Sequence, residues 1–260
     1  YWLIGMMEKM GMNLVFAFNL LSALGMTIFL WMIYLTTRLF FPSVAAGVLA
    51  IVLLFFNGSL SFLLFFKAHP LNLHSLQEII SSTKFVNFGP WDGTIGAFWT
   101  INIFTNQRHL AGSFGLILLF LWPLFSYTIR GKPWGVGSLM ILLGLGAAAT
   151  FMNQMIIPVA VIYGFVWMVF HPKTFKPFIG FYILLGVVSL PAFLYFRKNG
   201  IYQPVIEFGF LAQGKSWLSW LEYWWYNIGL YGLLIPVLFV WGNRAIKVLI
   251  LSALVLFGIA

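Results

Sequence analysis

The chain has 260 residues, of which 62% are hydrophobic and 7% are charged, and its formal net charge is +9. Soluble domains carry about 25% charged residues, so the composition excludes a water-soluble fold and predicts a polytopic membrane protein. The absence of cysteine excludes disulfides, iron–sulfur clusters and thiol chemistry. Because the basic residues lie between apolar runs, they indicate membrane topology and contact with anionic lipid or phosphate, and not nucleic-acid binding.

The apolar runs predict an all-α bundle of transmembrane helices, each needing about 20 residues. Residues 136–170 would form one helix of about 50 Å, which is too long for a hydrocarbon core of about 30 Å. The polar pair Asn153–Gln154 lies near the middle of this region. We therefore predict a hairpin of two short helices, and the full set of predicted spans is 11–37, 43–66, 110–127, 136–152, 155–170, 177–196, 217–241 and 246–260.

Two long loops, 67–109 and 197–216, separate these spans. Within the first loop, residues 74–85 are typical of a short interfacial helix, and the Gly-Pro-Trp-Asp-Gly sequence at 89–93 is typical of a turn. The chain begins with Tyr1 and ends inside an apolar run. We expect residues 1–260 to form a single transmembrane domain that is truncated at both ends.

Charge supports the hairpin. With it, one side of the membrane receives short loops that contain basic residues and no acid: Arg38, Arg130, Lys132, Lys173, Lys176, Arg244 and Lys247. The other side receives the long loops and all five acids: Glu8, Glu78, Asp92, Glu207 and Glu222. A single pass through 136–170 would destroy this sorting. The short basic loops are predicted to be cytoplasmic and the long loops to lie on the outer side.

A polar and cationic cluster, Asn106, Gln107, Arg108 and His109, precedes the third apolar run. One interpretation is an interfacial anchor, because arginine often extends from a helix end to the membrane surface. The other is a phosphate site, in which the arginine fork and the free N–H groups of a helix start bind the same anion. Asn106 and Gln107 would complete its shell.

Gly112 and Gly115 follow this cluster on the same predicted helix. Small residues at this spacing allow another helix or a lipid chain to approach closely.

Asn153 and Gln154 must face protein, water or a ligand, because amides are costly in lipid. They either form structural hydrogen bonds between helices or provide the polar floor of a cavity open to the outer side.

Asp92 is a typical turn residue, and catalysis is the alternative. His69 and His74 lie five residues apart across Pro70 and do not share a helix face. The sequence therefore predicts no metal site and no cofactor, and it offers no support for a divalent metal.

Residues 217–229 are dense in aromatic side chains, which indicates an interfacial belt or a surface that stacks on sugar rings. Glu222, Tyr226 and Asn227 are its polar members. With Asp92, they are candidates for contacts with a sugar or an acceptor.

The order of several segments resembles a branch of large prokaryotic membrane proteins related to the GT-C superfamily of lipid-linked-sugar glycosyltransferases. These segments are 34-YLTTRLFF-41, 56-FNGSLSFL-63, 106-NQRHLAGSFGLILLFL-121, 144-GLGAAATFMNQMIIPVAV-161 and 223-YWWYNIGLYGLLIPV-237. The resemblance extends from about Ala17 onward.

The resemblance implies an enzyme of the cell envelope, in the cytoplasmic membrane of a prokaryote, that uses a polyprenyl-phosphate-linked sugar on the outer face. The donor phosphate would contact Arg108 and either Lys84 or His109. The catalytic base would be an acid in an outer loop that we expect to precede Tyr1, so no catalytic residue is assigned. The relatives carry histidines in the middle of the short-helix region, where this chain has Asn153–Gln154.

Two other functional classes remain open. A transporter or flippase for a lipid-linked or amphipathic substrate would suit the broken region at Asn153–Gln154. However, the chain shows no inverted repeat, and its acids do not lie within the spans. The third class is a non-catalytic membrane scaffold. The sequence makes no prediction about the oligomeric state.

Overall fold

The computed structural model describes residues 2–56, 60, 63, 66–67, 69–81, 108–132, 134–198, 216–229 and 231–259. Every regular element in these ranges is helical, which confirms the predicted all-α class. The helices are α1 (Trp2–Lys9), α2 (Leu14–Phe40), α3 (Val44–Phe56), α4 (Leu73–Ser81), α5 (Arg108–Arg130), α6 (Val136–Met152), α7 (Ile156–Phe170), α8 (Phe175–Lys198), α9 (Trp217–Ile228), α10 (Tyr231–Trp241) and α11 (Arg244–Ile259). A 3₁₀ turn, Pro172–Thr174, joins α7 to α8.

Among these residues, three helices are long and apolar enough to cross a membrane, and the count rises to four if α9 and α10 form one bent span. The three are α2, α5 and α8. Helices α3, α6 and α7 are apolar but shorter. The break between α6 and α7 falls at residues 153–155, where the sequence predicts the turn of the hairpin.

The outward face of α8 is apolar along its length. Its exposed side chains follow a helical spacing: Ile183, Leu184, Val187, Leu190 and Leu194, each about half exposed. Transfer of a large apolar side chain out of water lowers the free energy by about 1.5–3 kcal/mol. A continuous apolar stripe exposed to water would lose this stabilisation at every position. Lipid is the solvent that suits this surface, so the chain is an integral membrane protein.

The described residues form two compact units. The first unit falls within 1–52, 104–204 and 251–256, and the second within 53–103, 205–250 and 257–260. Helices α1, α2 and α5–α8 belong to the first unit, and α4, α9 and α10 belong to the second. Both units lie within the range predicted as a single transmembrane domain.

Helix α5 is the central helix of the first unit. Of its most apolar stretch, 61% is buried, against 17% for α2 and 33% for α8. Helix α2 packs along it in the same direction, because residues that advance along α2 meet residues that advance along α5. The contacting pairs are Gly25 with Gly112, Phe29 with Gly115, and Phe40 with Phe125.

Helix α7 runs parallel to α5, and α8 runs antiparallel to it. Trp167 lies near the end of α7, and Thr128 lies near the end of α5. The Trp167 Nε1–H donates to Thr128 Oγ1 at 2.9 Å, so the ends of the two helices meet. Tyr182 of α8 donates its hydroxyl to the Phe120 carbonyl at 3.1 Å, whereas Phe178, earlier in α8, contacts Tyr127, later in α5.

Helix α6 runs parallel to α8. Gly146 lies against Leu185, and Phe151, further along α6, contacts Phe196, further along α8. Since α7 is antiparallel to α8, helices α6 and α7 run in opposite directions. The region 136–170 is therefore a hairpin, and a single pass is excluded.

These directions give the first unit two distinct ends. One end, called the basic end, collects five basic residues of the short turns: Arg38, Arg130, Lys132, Lys173 and Lys176. The described part of this end contains no acid. The opposite end, called the turn end, carries the start of α5 at Arg108 and the turn between α6 and α7. Which end is cytoplasmic stays a prediction.

In the second unit, the region 217–241, which the sequence predicts as one span, is divided by a break in the helix. The chain forms two helices, α9 and α10, that meet at an angle of 94°. The helix stops at Gly229, whose φ of 65° and ψ of −139° are accessible mainly to glycine. Asn227 also binds locally, donating from Nδ2 to the Tyr223 carbonyl at 2.8 Å.

Helix α4 covers residues 74–81 of the predicted interfacial helix, and residues 82–85 lie outside the described residues. Asn72 caps it by accepting from the Ser75 N–H at 2.8 Å. Leu73, Leu76 and Ile80 are exposed on one face, a distribution typical of a helix at a membrane surface.

Candidate functional site

Asn153 forms the turn between α6 and α7. Its backbone N–H donates to the Ala149 carbonyl at 3.1 Å, and its own carbonyl accepts from the Ile156 N–H at 3.2 Å. Its side-chain Oδ1 accepts from the Met155 N–H at 3.0 Å. These bonds all lie within the turn or the adjoining helix ends. Among the described residues, Asn153 therefore has a local role, in which it ends α6 and starts α7.

Gln154 has a different environment. Its Oε1 atom is buried and has no hydrogen-bond partner among the described residues. A buried acceptor without a donor costs about 1–3 kcal/mol.

An open pocket of about 340 Å³ lies at this turn. Its lining combines four apolar side chains with three polar ones: Phe151, Met152, Met155 and Phe196 with Thr150, Asn153 and Gln154. No charged side chain is among these described lining residues. The second interpretation of the polar pair, a polar floor under a cavity, matches this arrangement.

The start of α5 lies beside the same turn. A Cβ atom placed on Gly112 would lie 2.5 Å from Met152 Cε, so this residue of α5 contacts the last residue of α6. Arg108 begins α5 one helical turn earlier, about 6 Å along the axis. The structure thus brings the Arg108–His109 step and the Asn153–Gln154 pair to the turn end of the first unit.

Three other predicted residues of the phosphate shell, Asn106, Gln107 and Lys84, lie outside the described residues, as does Asp92. The first turn of α5 is consequently the part of the predicted shell that the structure describes. Because α5 begins at Arg108, the N–H groups of its first turn have no partner within the helix.

Gly112 and Gly115 pack against α2. A Cβ atom on Gly115 would lie 2.9 Å from the Phe29 nitrogen, and a Cβ atom on Gly25 would lie 3.1 Å from the Gly112 Cα. Of the two predicted neighbours, a helix or a lipid chain, the structure shows a helix. This close approach holds the first turn of α5 in position.

Glu222, Tyr226 and Asn227 belong to α9 in the second unit. Glu222 is exposed, whereas Tyr226 is partly buried and its carbonyl accepts from the Leu60 N–H at 2.7 Å. Trp217 stacks on Trp220 with ring centroids 4.9 Å apart. The contact of these residues with a sugar or an acceptor stays a prediction.

Sequence reasoning missed Thr150, Phe151 and Phe196 as members of the pocket. Thr150 stood out as a hydroxyl residue in an apolar run next to the polar pair, and this signal could have identified it. Phe151 and Phe196 carry no such signal, because aromatic residues are ordinary in apolar helices. In the described part of the chain, no group of three histidine, aspartate or glutamate side chains is placed to hold a metal ion.

Comparisons with protein-family models, curated proteins and solved structures gave no match.

Proposed function

We propose that this chain is part of an integral membrane glycosyltransferase that takes a sugar from a polyprenyl-phosphate donor. One observation carries the proposal: the start of α5 at Arg108 and the pocket at the α6–α7 turn lie at the same end of one helical unit. The resemblance of 106-NQRHLAGSFGLILLFL-121 to GT-C proteins covers this start, and 144-GLGAAATFMNQMIIPVAV-161 covers the turn.

The chemistry of the α5 start suits the phosphate of the donor. Arg108 provides planar donors that match phosphate oxygens, and the helix start adds free N–H groups and the positive end of the helix dipole. Charge grows on the phosphate oxygens as the sugar leaves. Donors held by a packed helix stabilise this charge without reorganisation.

The apolar faces of the unit suit the polyprenyl tail. The stripe on α8 from Ile183 to Leu194 is apolar and about half exposed, so a tail that extends from the turn end along it would remain in an apolar environment. The acceptor hydroxyl needs a general base. The resemblance implies a carboxylate for this role, and no residue of this chain is assigned to it.

The experiment measures transfer of a radiolabelled sugar from a polyprenyl-phosphate donor by the complete protein in liposomes. Arg108→Ala should lower the transfer rate by about 100-fold or more, because removing one fixed donor to a developing anion commonly costs this much. Arg108→Lys should retain part of the rate, since it keeps the charge but loses the planar fork.

Arg130→Ala is the matched control, because Arg130 ends the same helix at the basic end. Its rate should stay near that of the unchanged protein. Transfer that continues at full rate in Arg108→Ala would contradict the proposal.

A transporter or flippase for a lipid-linked substrate is the second candidate. It is favoured by two helix breaks, at the α6–α7 turn and at Gly229, because discontinuous helices are common at transporter sites. The same liposomes can separate the two candidates. Movement of a fluorescent lipid-linked sugar between leaflets, with no sugar transfer, would favour transport.

A further inference from the structure

The turn between α7 and α8 presents two lysines where a membrane-spanning helix begins. Lys173 belongs to the 3₁₀ turn and Lys176 to the first turn of α8, and both are exposed. The apolar segment that is long enough to cross a membrane begins at Pro172. The two ammonium groups therefore lie at the depth of the lipid headgroups at the basic end.

Local contacts hold this turn in place. The Thr174 hydroxyl donates to the His171 carbonyl at 2.7 Å, and the His171 N–H donates to the Trp167 carbonyl at 2.9 Å. The His171 ring stacks on the Trp167 ring with centroids 4.5 Å apart, and Trp167 is fully buried. The backbone that carries Lys173 is thus fixed on the core of the first unit, so a ligand that binds there does not have to order the turn.

An exposed apolar surface lies beside these lysines. Phe175, the neighbour of Lys176, contacts Phe165 of α7 edge to face with ring centroids 6.3 Å apart, and the two side chains are 40% and 46% exposed. Ile162 and Val169 lie on the same face of α7 at helical spacing and are also exposed. Ile162, Phe165 and Val169, called the α7 track, run from the basic end towards the middle of the helix.

The charge and the apolar surface together favour one kind of ligand. The basic end has five basic residues and, in its described part, no acid. A phosphatidylglycerol headgroup presents a phosphate without a cation of its own, whereas a phosphatidylcholine headgroup brings a cation that competes with the lysines. A soluble phosphate would leave the α7 track without a partner, while a lipid has acyl chains that match it.

We infer that the basic end binds an anionic phospholipid, with Lys173 and Lys176 on the headgroup phosphate and an acyl chain along the α7 track. Basic residues at a membrane surface each add attraction to anionic lipid. The inference stands apart from the proposed function, because it concerns the opposite end of the first unit from Arg108. Sugar transfer by the complete protein is not needed for it to hold.

The first test measures lipid binding by native mass spectrometry, with the complete protein in detergent micelles. The probes are dioleoyl phosphatidylglycerol and dioleoyl phosphatidylcholine, which share their chains and their phosphate. The anionic lipid should bind at least about tenfold more tightly, because each lysine near the headgroup contributes a factor of about five. Equal binding of the two lipids would overturn the inference.

The second test removes the lysines. Lys173→Gln and Lys176→Gln should each weaken phosphatidylglycerol binding by about threefold to fivefold, and the double variant should bind it about as weakly as phosphatidylcholine. Both side chains are exposed, so the fold should tolerate the changes. Unchanged binding in the double variant would overturn the inference.

Arg38→Gln is the matched control, because it removes one charge from the same end. The Arg38 Nη1–H donates to the Tyr34 hydroxyl at 3.3 Å, and a Cβ atom on Gly47 of α3 would lie 3.2 Å from Arg38 Cγ. The residue of α2 that contacts Trp167 is Phe40, on the opposite side of the helix from Arg38. Binding should stay within about twofold of the unchanged protein. A loss equal to that of Lys173→Gln would show a diffuse effect of net charge and contradict a local site.

The third test separates a lipid from a free phosphate. Glycerol 3-phosphate carries the anionic group without the chains, and it should not displace phosphatidylglycerol at about 100-fold excess. Phe165→Ala should weaken both lipids by about twofold to fivefold, because it removes contact with a chain and no charge. Phe151→Ala, which changes an exposed phenylalanine at the turn end, should leave both unchanged. Displacement by glycerol 3-phosphate at equal concentration, or full lipid binding in Phe165→Ala, would refute the lipid assignment.

Discussion

Single glycines set the distance between the two parallel helices of the first unit. Gly25 of α2 faces Gly112 of α5, and Gly115 faces the backbone of Phe29. In lipid, helices associate through close packing and not through the hydrophobic effect, so such contacts have a large influence. These glycine contacts hold the first half of α5 against α2, and they therefore fix the position of the helix start at Arg108.

Gly115→Ala should destabilise the protein by about 1–3 kcal/mol, because its new Cβ would lie 2.9 Å from the Phe29 nitrogen, which belongs to the backbone and cannot rotate away. Thermal unfolding in detergent measures the effect. Gly144→Ala is the control, since a Cβ there meets no atom within 4 Å. It should be neutral or stabilising by up to about 1 kcal/mol, as alanine favours helix. Equal stability of the two variants would contradict the packing described.

At this scale, the sequence indicated Gly112 and Gly115 but not their partner Gly25. A glycine spacing shows that an approach is possible, whereas the neighbour depends on the register of another helix. The polar pair divided in the same way, because both amides line the pocket, but Asn153 Oδ1 accepts a hydrogen bond within the turn and Gln154 Oε1 has no partner among the described residues. Only the surroundings of each amide distinguish these roles.

At the scale of elements, two helix breaks show what a pattern can predict. The break between α6 and α7 follows from length, because an apolar run over 136–170 cannot cross the membrane as one helix. The break at Gly229 does not, because residues 217–241 have the right length for one span. Membrane helices often tolerate glycine, so Gly229 alone did not predict an end.

Gly229→Ala should destabilise the junction of α9 and α10 by about 1–3 kcal/mol, because a side chain is strained at a φ of 65° and a ψ of −139°. Gly232→Ala is the control in the next helix, where a Cβ would make an ordinary contact at 3.8 Å with Ile228. Thermal unfolding of both variants in detergent tests this. A Gly229→Ala protein as stable as Gly232→Ala would mean that the break does not depend on glycine.

At the scale of the whole molecule, the helix directions of the first unit separate its two ends. Five basic residues of the short turns gather at one end, and Arg108 and the α6–α7 turn lie at the other. The sequence predicted this sorting from charge and the hairpin together. The contacts between α6, α7 and α8 show that α6 and α7 run in opposite directions, and this brings the turn after α7 to the same end as the turn after α5.

Cysteine labelling tests this arrangement in the membrane, and the natural chain contributes no cysteine of its own. Met10→Cys and Lys173→Cys should react with an impermeant thiol reagent from opposite sides, because the residues lie at opposite ends of the first unit and are both exposed. The positive-inside rule predicts that Lys173→Cys labels from the cytoplasm. Labelling of both from one side would contradict the hairpin, since a single pass through 136–170 would place them together.

By itself, the sequence determined that this is a membrane protein, that it is helical and that residues 136–170 form a hairpin of two helices. Hydrophobicity and length are properties of a linear segment, and the bilayer thickness converts them directly into structure. Only the tertiary structure decided that Gly112 meets Met152, that Phe196 joins Gln154 in one pocket and that Gly229 ends a helix. These features depend on which helix faces which and at what register, and the packing of distant segments sets both.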